Sequence, residues 1–475
     1  MVSTHEALGQ DVGPALNYGQ QLEICENRAR TYSDKESVNS CTMVIETGRE
    51  EAANLAAAYA DRAFAYRRLG DYVRAFADYD QALRLDPANA ATLFNRAVAR
   101  QAHGDLDQAV ADYDQVLALE PGNGAALHNR GIVRRLQGNL PAALDDLDHA
   151  LQFDPKNAAA LNSRGLVYRA KGDQAKAMDD FNQAILLDPA NAAALANRGA
   201  LYRQQGDMSK AIADFSDSLR INPSDNVARD ARAAAYRTQG AVTTAIDEYA
   251  EVLRRDPNDM SALVGQGLAY RAQGDLAKAI ADYNHAIQVD PTASAPLVDR
   301  GNVYRAQGEL AKALADYGQA IRINPRDGIA FENRANVLAG QREFPKAIAD
   351  ADQAIQLDPT NASAFNVRCW TRATWGQGLD KALADCNEAL RLRPNDANTL
   401  GSRGLVHLRQ NDFAAAFADY DASFRRDPAQ INSQFGRGVA QLRLGREEAG
   451  QADIRAGEAQ NPAVAARFAL WGIKP

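Results

Sequence analysis

The sequence lacks the features that mark several common classes of protein. It contains no run of about 18 apolar residues, so no segment is predicted to span a membrane. Its net charge is −8 at pH 7, which argues against binding to nucleic acid, because proteins that bind the phosphate backbone carry an excess of Lys and Arg. The first 20 residues have no basic start and no apolar stretch, so they are not a signal peptide as written.

Motifs of catalysis and of cofactor binding are also missing. The six histidines show no spacing typical of metal ligands. The sequence has no G-x-S-x-G motif, no phosphate-binding loop and no dinucleotide fingerprint. We therefore predict that the protein is not an enzyme and that it has no catalytic residue, no metal site and no cofactor.

What the sequence does contain is a proline that recurs every 34 residues. The recurring prolines are Pro87, Pro121, Pro155, Pro189, Pro223, Pro257, Pro291, Pro325 and Pro359, followed after one spacing of 35 residues by Pro394, Pro428 and Pro462. A fixed period of this length predicts an array of one small structural unit. Such an array offers a long surface and has no single closed active-site cleft.

One repeat, residues 158–191, shows how the unit is built. Leu161, Gly165 and Tyr168 recur at helical spacing, and Gly172 then interrupts the pattern. A second helical pattern follows and stops at Pro189, because proline cannot continue a helix. Each repeat is therefore predicted to form two antiparallel helices, A and B. Repeat positions are counted below with residue 158 as position 1.

This pattern resembles the tetratricopeptide repeat family, and the resemblance extends over residues 56–463. The residues that carry it are Leu161, Gly165, Tyr168, Ala177, Phe181, Ala184 and Pro189, at repeat positions 4, 8, 11, 20, 24, 27 and 32. The resemblance implies an all-α fold, an α-solenoid whose helix hairpins wind into a right-handed superhelix. It also implies that helix A lines the concave surface, mainly through positions 2, 5, 6, 9 and 12.

The repeat pattern divides the chain into four predicted segments. These are a disordered or frayed N-terminus (1–19), a degenerate repeat that contains Cys25 and Cys41 (20–55), twelve tandem repeats (56–463), and a C-terminal capping helix with a tail (464–475). The last segment is predicted to be helical because its apolar residues would cover the exposed end of the final repeat.

Two charged positions stand inside the packing pattern. Position 7 is arginine in eleven of the twelve repeats, with Gln266 as the exception, and position 23 is acidic in all twelve. An unpaired buried charge is very unfavourable, so these side chains are predicted to pair as an arginine–aspartate ladder within or between repeats, with Arg164 and Asp180 as one pair. We favour this structural role over ligand binding.

A third charged position would face the groove. Position 12 on helix A carries Arg135, Arg169, Arg203, Arg237, Arg271 and Arg305 in six consecutive repeats. The simpler interpretation is a solvated face whose side chains cover apolar surface. The alternative is a basic groove for acidic peptide segments or another polyanion.

Position 6 is short and polar in many repeats, and in related arrays an asparagine there holds the main chain of an extended peptide. The candidate asparagines are Asn95, Asn129, Asn197 and Asn333. No repeat has the lysine at position 5 that a carboxylate clamp requires, so clamp-type recognition of a peptide C-terminus is not expected. Near the C-terminus the groove becomes more apolar, with Trp370, Leu405 and Phe435.

The four cysteines form two matched pairs. Cys25 with Cys41 and Cys369 with Cys386 each occupy positions 8 and 24 of one repeat. The coincidence suggests two disulfides within repeats and hence an oxidising compartment, whereas the alternative is four buried thiols. The segment after Cys41 resembles the N-terminal module of bacterial exported repeat proteins. We therefore favour a periplasmic or exported location, and a cytoplasmic one if the N-terminus as given is authentic.

Together these observations predict a non-catalytic scaffold that binds other proteins through its concave groove, as extended or acidic segments. One alternative is a regulatory or targeting subunit of a separate enzyme. Another is a cell-envelope protein that binds an anionic polysaccharide through the arginines at position 12.

Overall fold

The computed structural model describes residues 17–27 and 31–474, and within them it contains helices and no strand. The chain divides into two compact parts, residues 1–231 and 232–475, which we call the N-terminal half and the C-terminal half. The predicted all-α fold of paired helices is confirmed in each half.

The helices of the N-terminal half follow one another as hairpins. They are α1 (Tyr18–Glu26), α2 (Asp34–Glu46), α3 (Ala52–Arg68), α4 (Tyr72–Leu85), α5 (Ala90–His103), α6 (Leu106–Leu119), α7 (Gly124–Leu136), α8 (Leu140–Phe153), α9 (Ala158–Ala170), α10 (Gln174–Leu187), α11 (Ala192–Gln204) and α12 (Met208–Ile221). Helix α13 (Asn226–Gln239) contains the boundary between the halves.

The C-terminal half continues the same alternation of A and B helices. Its helices are α14 (Val242–Arg255), α15 (Met260–Gln273), α16 (Leu276–Val289), α17 (Ala295–Ala306), α18 (Leu310–Ile323), α19 (Gly328–Gly340), α20 (Phe344–Leu357), α21 (Ala362–Trp375), α22 (Leu379–Leu392), α23 (Ala397–Arg409), α24 (Phe413–Arg426), α25 (Ile431–Arg443), α26 (Glu447–Gln460) and α27 (Val464–Leu470).

The hairpin of α9 and α10 shows why the repeat folds as it does. Asn157 caps α9 by accepting a hydrogen bond from the backbone N–H of Ala160, and Asp173 caps α10 in the same way through Lys176. Between the two helices Gly172 adopts φ +83°, a left-handed conformation that glycine reaches without a steric penalty. The sequence thus ends one helix and starts the next within three residues.

Small residues at position 8 allow the two helices of a hairpin to approach closely. A Cβ atom added to Gly165 would lie only 2.6 Å from Cε1 of Phe181, so any larger residue would displace that ring. Phe181 is fully buried and packs with Ala177 of its own repeat and Leu201 of the next one. The apolar core therefore continues from each repeat into its neighbour within the half.

At the N-terminus, the predicted frayed segment lies outside the described residues up to residue 16. Helix α1 begins at Tyr18, capped by Asn17, so helical structure starts slightly before the predicted boundary at residue 20. Helices α1 and α2 form the hairpin of the degenerate repeat. At the other end, α27 buries Val464 and Phe468 completely against the preceding hairpin.

Candidate functional site

The predicted arginine–aspartate ladder is present in every repeat that has both residues. Arg164 Nε and Nη2 donate to the two carboxylate oxygens of Asp180 at 2.9 and 2.7 Å. The corresponding pairs are Arg62–Asp78, Arg96–Asp112, Arg130–Asp146, Arg198–Asp214, Arg232–Glu248, Arg300–Asp316, Arg334–Asp350, Arg368–Asp385, Arg403–Asp419 and Arg437–Asp453. The hydrogen bond to Asp180 raises the pKa of Arg164 despite partial burial.

Nine of these arginines also connect neighbouring repeats, through acceptors at position 25 that the sequence analysis did not identify. Arg164 Nη1 donates at 2.8 Å to Asp148, which belongs to helix B of the preceding repeat at position 25. Equivalent bonds join Arg62 to Thr42, Arg96 to Asp80, Arg130 to Asp114, Arg198 to Asn182, Arg300 to Asn284, Arg368 to Asp352, Arg403 to Asn387 and Arg437 to Asp421. Each of these nine guanidinium groups thus holds three helices together, which assigns the ladder a structural role.

In the one repeat that lacks the position 7 arginine, the acid at position 23, Asp282, has no arginine partner of its own repeat. Gln266 replaces the arginine and donates to the backbone oxygen of Ile246 at 3.2 Å, away from Asp282. Asp282 Oδ2 is buried and has no hydrogen-bond partner in the described part of the chain. Burial raises the pKa of Asp282 to about 7. Ala250, at position 25 of the preceding repeat, also offers no acceptor, so both partners of the usual arginine are absent together.

In the N-terminal half, the position 12 arginines Arg135 and Arg169 lie on successive A helices, α7 and α9, and both are half-buried. Burial lowers the pKa of Arg169, and the positive charge of Arg135 lowers it further. Arg135 Nε is buried and makes no hydrogen bond to any described residue. Arg203, on α11, is exposed. The positive charges of Arg135 and Arg169 therefore repel each other, and Arg135 Nε is a donor without an acceptor among the described residues.

In the C-terminal half, a carboxylate accompanies the position 12 arginines. Arg271 Nη1 lies 3.9 Å from Asp299 Oδ1. Burial raises the pKa of Asp299, and the charges of Arg271 and Arg237 oppose that rise. Arg237 Nε is buried without a hydrogen-bond partner among the described residues, and Arg305 lies at the edge of a cavity. The positive charge here is partly balanced, unlike that of Arg135 and Arg169.

The four candidate asparagines at position 6 are all half-buried on A helices. Asn197 Nδ2 donates to Asn162 Oδ1 of the preceding repeat at 2.9 Å, so this amide is held in place by a neighbour. Asn95, Asn129 and Asn333 occupy the equivalent positions on α5, α7 and α19. Whether these amides hold a peptide main chain stays a prediction.

The C-terminal half contains a cavity of about 540 Å³ that the sequence analysis located only in part. Its lining includes Trp370 and Leu405, as predicted, together with Phe468 and Trp471, which follow the last hairpin. Arg409 Nη1 donates to the backbone oxygens of Ala373 and Trp471 and thereby ties the C-terminal segment to α21. Phe435, the third predicted groove residue, is fully buried beneath Phe468.

Both predicted disulfides are present. The Cα atoms of Cys25 and Cys41 are 4.6 Å apart, and those of Cys369 and Cys386 are 5.5 Å apart, each within the reach of a disulfide. Each disulfide joins helix A to helix B of one hairpin, at the two positions where small residues let these helices meet. The alternative of four buried thiols is therefore wrong.

This pairing makes a prediction for thiol titration. Protein purified from an oxidising compartment and denatured without reductant should expose no free thiol, and after reduction it should expose all four cysteines. The titration with Ellman's reagent checks both values. Four reactive thiols before reduction would contradict the disulfides.

Within residues 17–27 and 31–474, no group of three or more His, Cys, Asp or Glu side chains is arranged to hold a metal ion. None of the helices described there has both the length and the apolar character needed to cross a membrane.

Comparison with known families agrees with the repeat structure. Models described as "TPR repeat" match residues 64–104, 165–206 and 301–342. Models described as "Tetratricopeptide repeat" match residues 192–225, and residues 94–158, 231–296 and 402–465. The matches together extend over more than half of the chain. No curated protein matches the chain at a significant level.

Three solved structures are similar to this chain. A tetratricopeptide repeat protein from Parabacteroides merdae is 26% identical over 52% of this chain and 98% of that one, with a TM-score of 0.43. The APC/C hetero-tetramer Cut9–Hcn1 is 16% identical over 89% and 90%, with a TM-score of 0.49. Yeast Tom70 is 16% identical over 88% and 100%, with a TM-score of 0.44.

Proposed function

Because this chain belongs to the tetratricopeptide repeat family, whose fold is typical of protein–protein interaction, we propose that it is a non-catalytic scaffold that binds an extended, acidic protein segment. The family is generally non-catalytic, and the proposal extends this property to the present chain. The segment would lie along the A helices of the N-terminal half, where the position 12 arginines follow one another.

The observation that carries this proposal is the pair formed by Arg135 and Arg169. Two half-buried guanidinium groups that repel each other are unfavourable unless an anion compensates them. The buried Nε of Arg135 has no hydrogen-bond partner among the described residues, so no described side chain offsets this charge there, and a carboxylate bound at the guanidinium would do so. A purely solvated face would instead expose both side chains to water, which screens their repulsion.

A peptide-binding experiment tests this function. Labelled octaglutamate should bind the full chain saturably, and binding should weaken as salt is raised because the attraction is electrostatic. The double variant Arg135→Ala/Arg169→Ala should weaken binding by about tenfold or more at low salt, as fluorescence anisotropy would measure.

The matched control removes the same charge elsewhere. Arg84→Ala/Arg220→Ala changes two exposed arginines on the B helices α4 and α12 of the same half, and it should bind octaglutamate almost as the unchanged protein does. Equal losses in both double variants would show that net charge alone attracts the peptide and would refute the groove. A glucuronate oligomer of equal charge that binds as tightly would favour the polysaccharide alternative.

A further inference from the structure

The cavity of the C-terminal half differs in chemistry from the surface around Arg135 and Arg169, which we call the arginine groove. Its polar lining consists mainly of amide and hydroxyl side chains, among them Asn336, Ser363, Asn366, Asn398, Ser402 and Asn432. Among the described lining residues none is acidic, and Arg305 at the edge is the one that carries a charge. A ligand suited to this lining is therefore polar and uncharged.

Two of these amides are held through their carbonyl oxygens, and no described residue accepts a hydrogen bond from their NH2 groups. Asn398 Oδ1 accepts a hydrogen bond from Gln430 Nε2 at 2.8 Å, and Asn432 Oδ1 accepts one from Arg467 Nη1 at 3.0 Å. Since each carbonyl oxygen is engaged in this way, the NH2 group of each amide is oriented and can donate to a ligand. The cavity thus presents fixed donors without needing to rearrange.

A third amide, that of Asn366, supplies a hydrogen-bond acceptor. Asn366 Oδ1 is buried and has no hydrogen-bond partner in the described part of the chain. A buried acceptor of this kind is normally satisfied, and a rotation of the Asn366 side chain, which lines the cavity, would let this oxygen accept from a ligand. A hydroxyl group matches donors and acceptor together, because it can accept from the NH2 of Asn398 or Asn432 and donate to Asn366.

Aromatic rings form two walls of the same cavity. The ring centroids of Trp370 and Trp471 lie 6.5 Å apart with an interplanar angle of 86°, and both side chains are only half-buried. The face of an indole carries negative electron density and attracts positively polarised C–H groups. A sugar ring presents such C–H groups on its faces and hydroxyls around its edge, which fits these walls and the amides between them.

The boundary of the cavity favours a compact ligand. Its amides stand at positions that the family resemblance assigns to the concave surface, with Asn336 at position 9, Asn366 at position 5, and Asn398 and Asn432 at position 2. Phe468 and Trp471, from the segment after the last hairpin, form part of the same lining, so the cavity is bounded at this end. The cavity volume of about 540 Å³ is ample for two or more sugar rings.

We propose that this cavity binds a short, uncharged oligosaccharide. Trp370 and Trp471 pack against the faces of its rings, and Asn366, Asn398 and Asn432 hydrogen-bond to its hydroxyls. The site is separate from the arginine groove of the N-terminal half and does not depend on the scaffold function.

The test uses three neutral tetrasaccharides, maltotetraose, cellotetraose and tetra-N-acetylchitotetraose, titrated into the full chain by calorimetry. At least one should bind with a dissociation constant below about 1 mM, and its affinity should change little with salt. Trp370→Ala and, separately, Asn366→Leu should each weaken binding about tenfold or more. The affinity of octaglutamate for the same variants should be unchanged.

The matched control is Trp375→Ala, which removes a half-buried tryptophan from the same helix α21 that stacks on Phe344 and does not line the cavity. It should retain saccharide binding. The proposal is overturned if none of the three saccharides binds, or if the Trp370 and Asn366 variants bind as well as the control. Displacement of the saccharide by an uncharged Gly-Ser octapeptide with the same dependence on Trp370 would assign the cavity to peptide instead.

Discussion

Replacing Asp146 with alanine should lower the free energy of unfolding by about 3–5 kcal/mol. The Asp146 side chain is 0% exposed and accepts hydrogen bonds from Arg130 Nε at 3.0 Å and Nη2 at 2.5 Å, and from Arg134 Nη1 at 2.8 Å. Without this carboxylate, two largely buried guanidinium groups lose the counter-charge that makes their burial possible. The loss should therefore be far larger than that of an ordinary surface substitution.

The matched control is Asp114→Ala, which removes a carboxylate from the same arginine. Asp114 accepts from Arg130 Nη1 at 2.5 Å, but its side chain is 51% exposed, so its loss should lower the free energy of unfolding by about 1 kcal/mol or less. Because a repeat protein can unfold in parts, hydrogen exchange of the α7 and α8 amides should accompany urea unfolding. Equal effects of the two substitutions would show that burial does not set the strength of the ladder.

Much of this fold follows from the sequence because one packing solution is repeated. The proline period fixes the length of the repeat, and the small residues at positions 8 and 20 identify the face on which the two helices meet. The ladder and the disulfides were predictable for the same reason: Arg164 with Asp180, and Cys369 with Cys386, occupy positions that the hairpin brings together. Each such contact lies within one hairpin and recurs in others.

Contacts that link different repeats were harder to predict. Position 25, which supplies Asp148 to Arg164, is Asp, Asn, Thr, Ser, Ala, Gly or Arg in different repeats, so its residue type carries a weak signal. The cavity depends on contacts that do not recur in other repeats. Trp471 contacts Trp370 of α21 although the A helices α23 and α25 lie between them in the chain. Arg409 of α23 donates to the backbone oxygens of Ala373 on α21 and of Trp471. The lining uses repeated positions such as 2 and 9, but the residue types there differ from repeat to repeat, so the periodic pattern does not mark the site.

Replacing Gln266 with arginine should stabilise the protein by about 2 kcal/mol at pH 8, because it restores the missing partner of Asp282. Arg334 shows that such a pair forms without an acceptor in the preceding repeat: Gly318 stands at position 25 there, and Arg334 still donates to both oxygens of Asp350 at 2.7 Å. The new guanidinium should therefore turn from the Ile246 carbonyl toward Asp282, whose Oδ2 has no other partner among the described residues.

The pH dependence of this gain identifies its cause. Burial raises the pKa of the Asp282 carboxyl from 3.8 to about 7, so between these pH values the folded protein binds a proton that the unfolded chain does not. The stability linked to this proton is present below pH 4 and is lost as the pH rises to 7. The loss amounts to about 2 kcal/mol, roughly half of what the full shift would give, since the carboxyl is partly exposed.

In the Gln266→Arg variant the charged carboxylate is paired, so this loss should disappear. The difference in melting temperature between the variant and the unchanged protein should therefore grow steadily from pH 4 to pH 8, because only the unchanged protein is destabilised over that interval. Gln266→Met, a side chain of similar length without charge, serves as the control and should show no such growth. A gain that is the same at pH 4 and pH 8 would mean that the arginine stabilises by packing alone, with Asp282 already satisfied in the native protein.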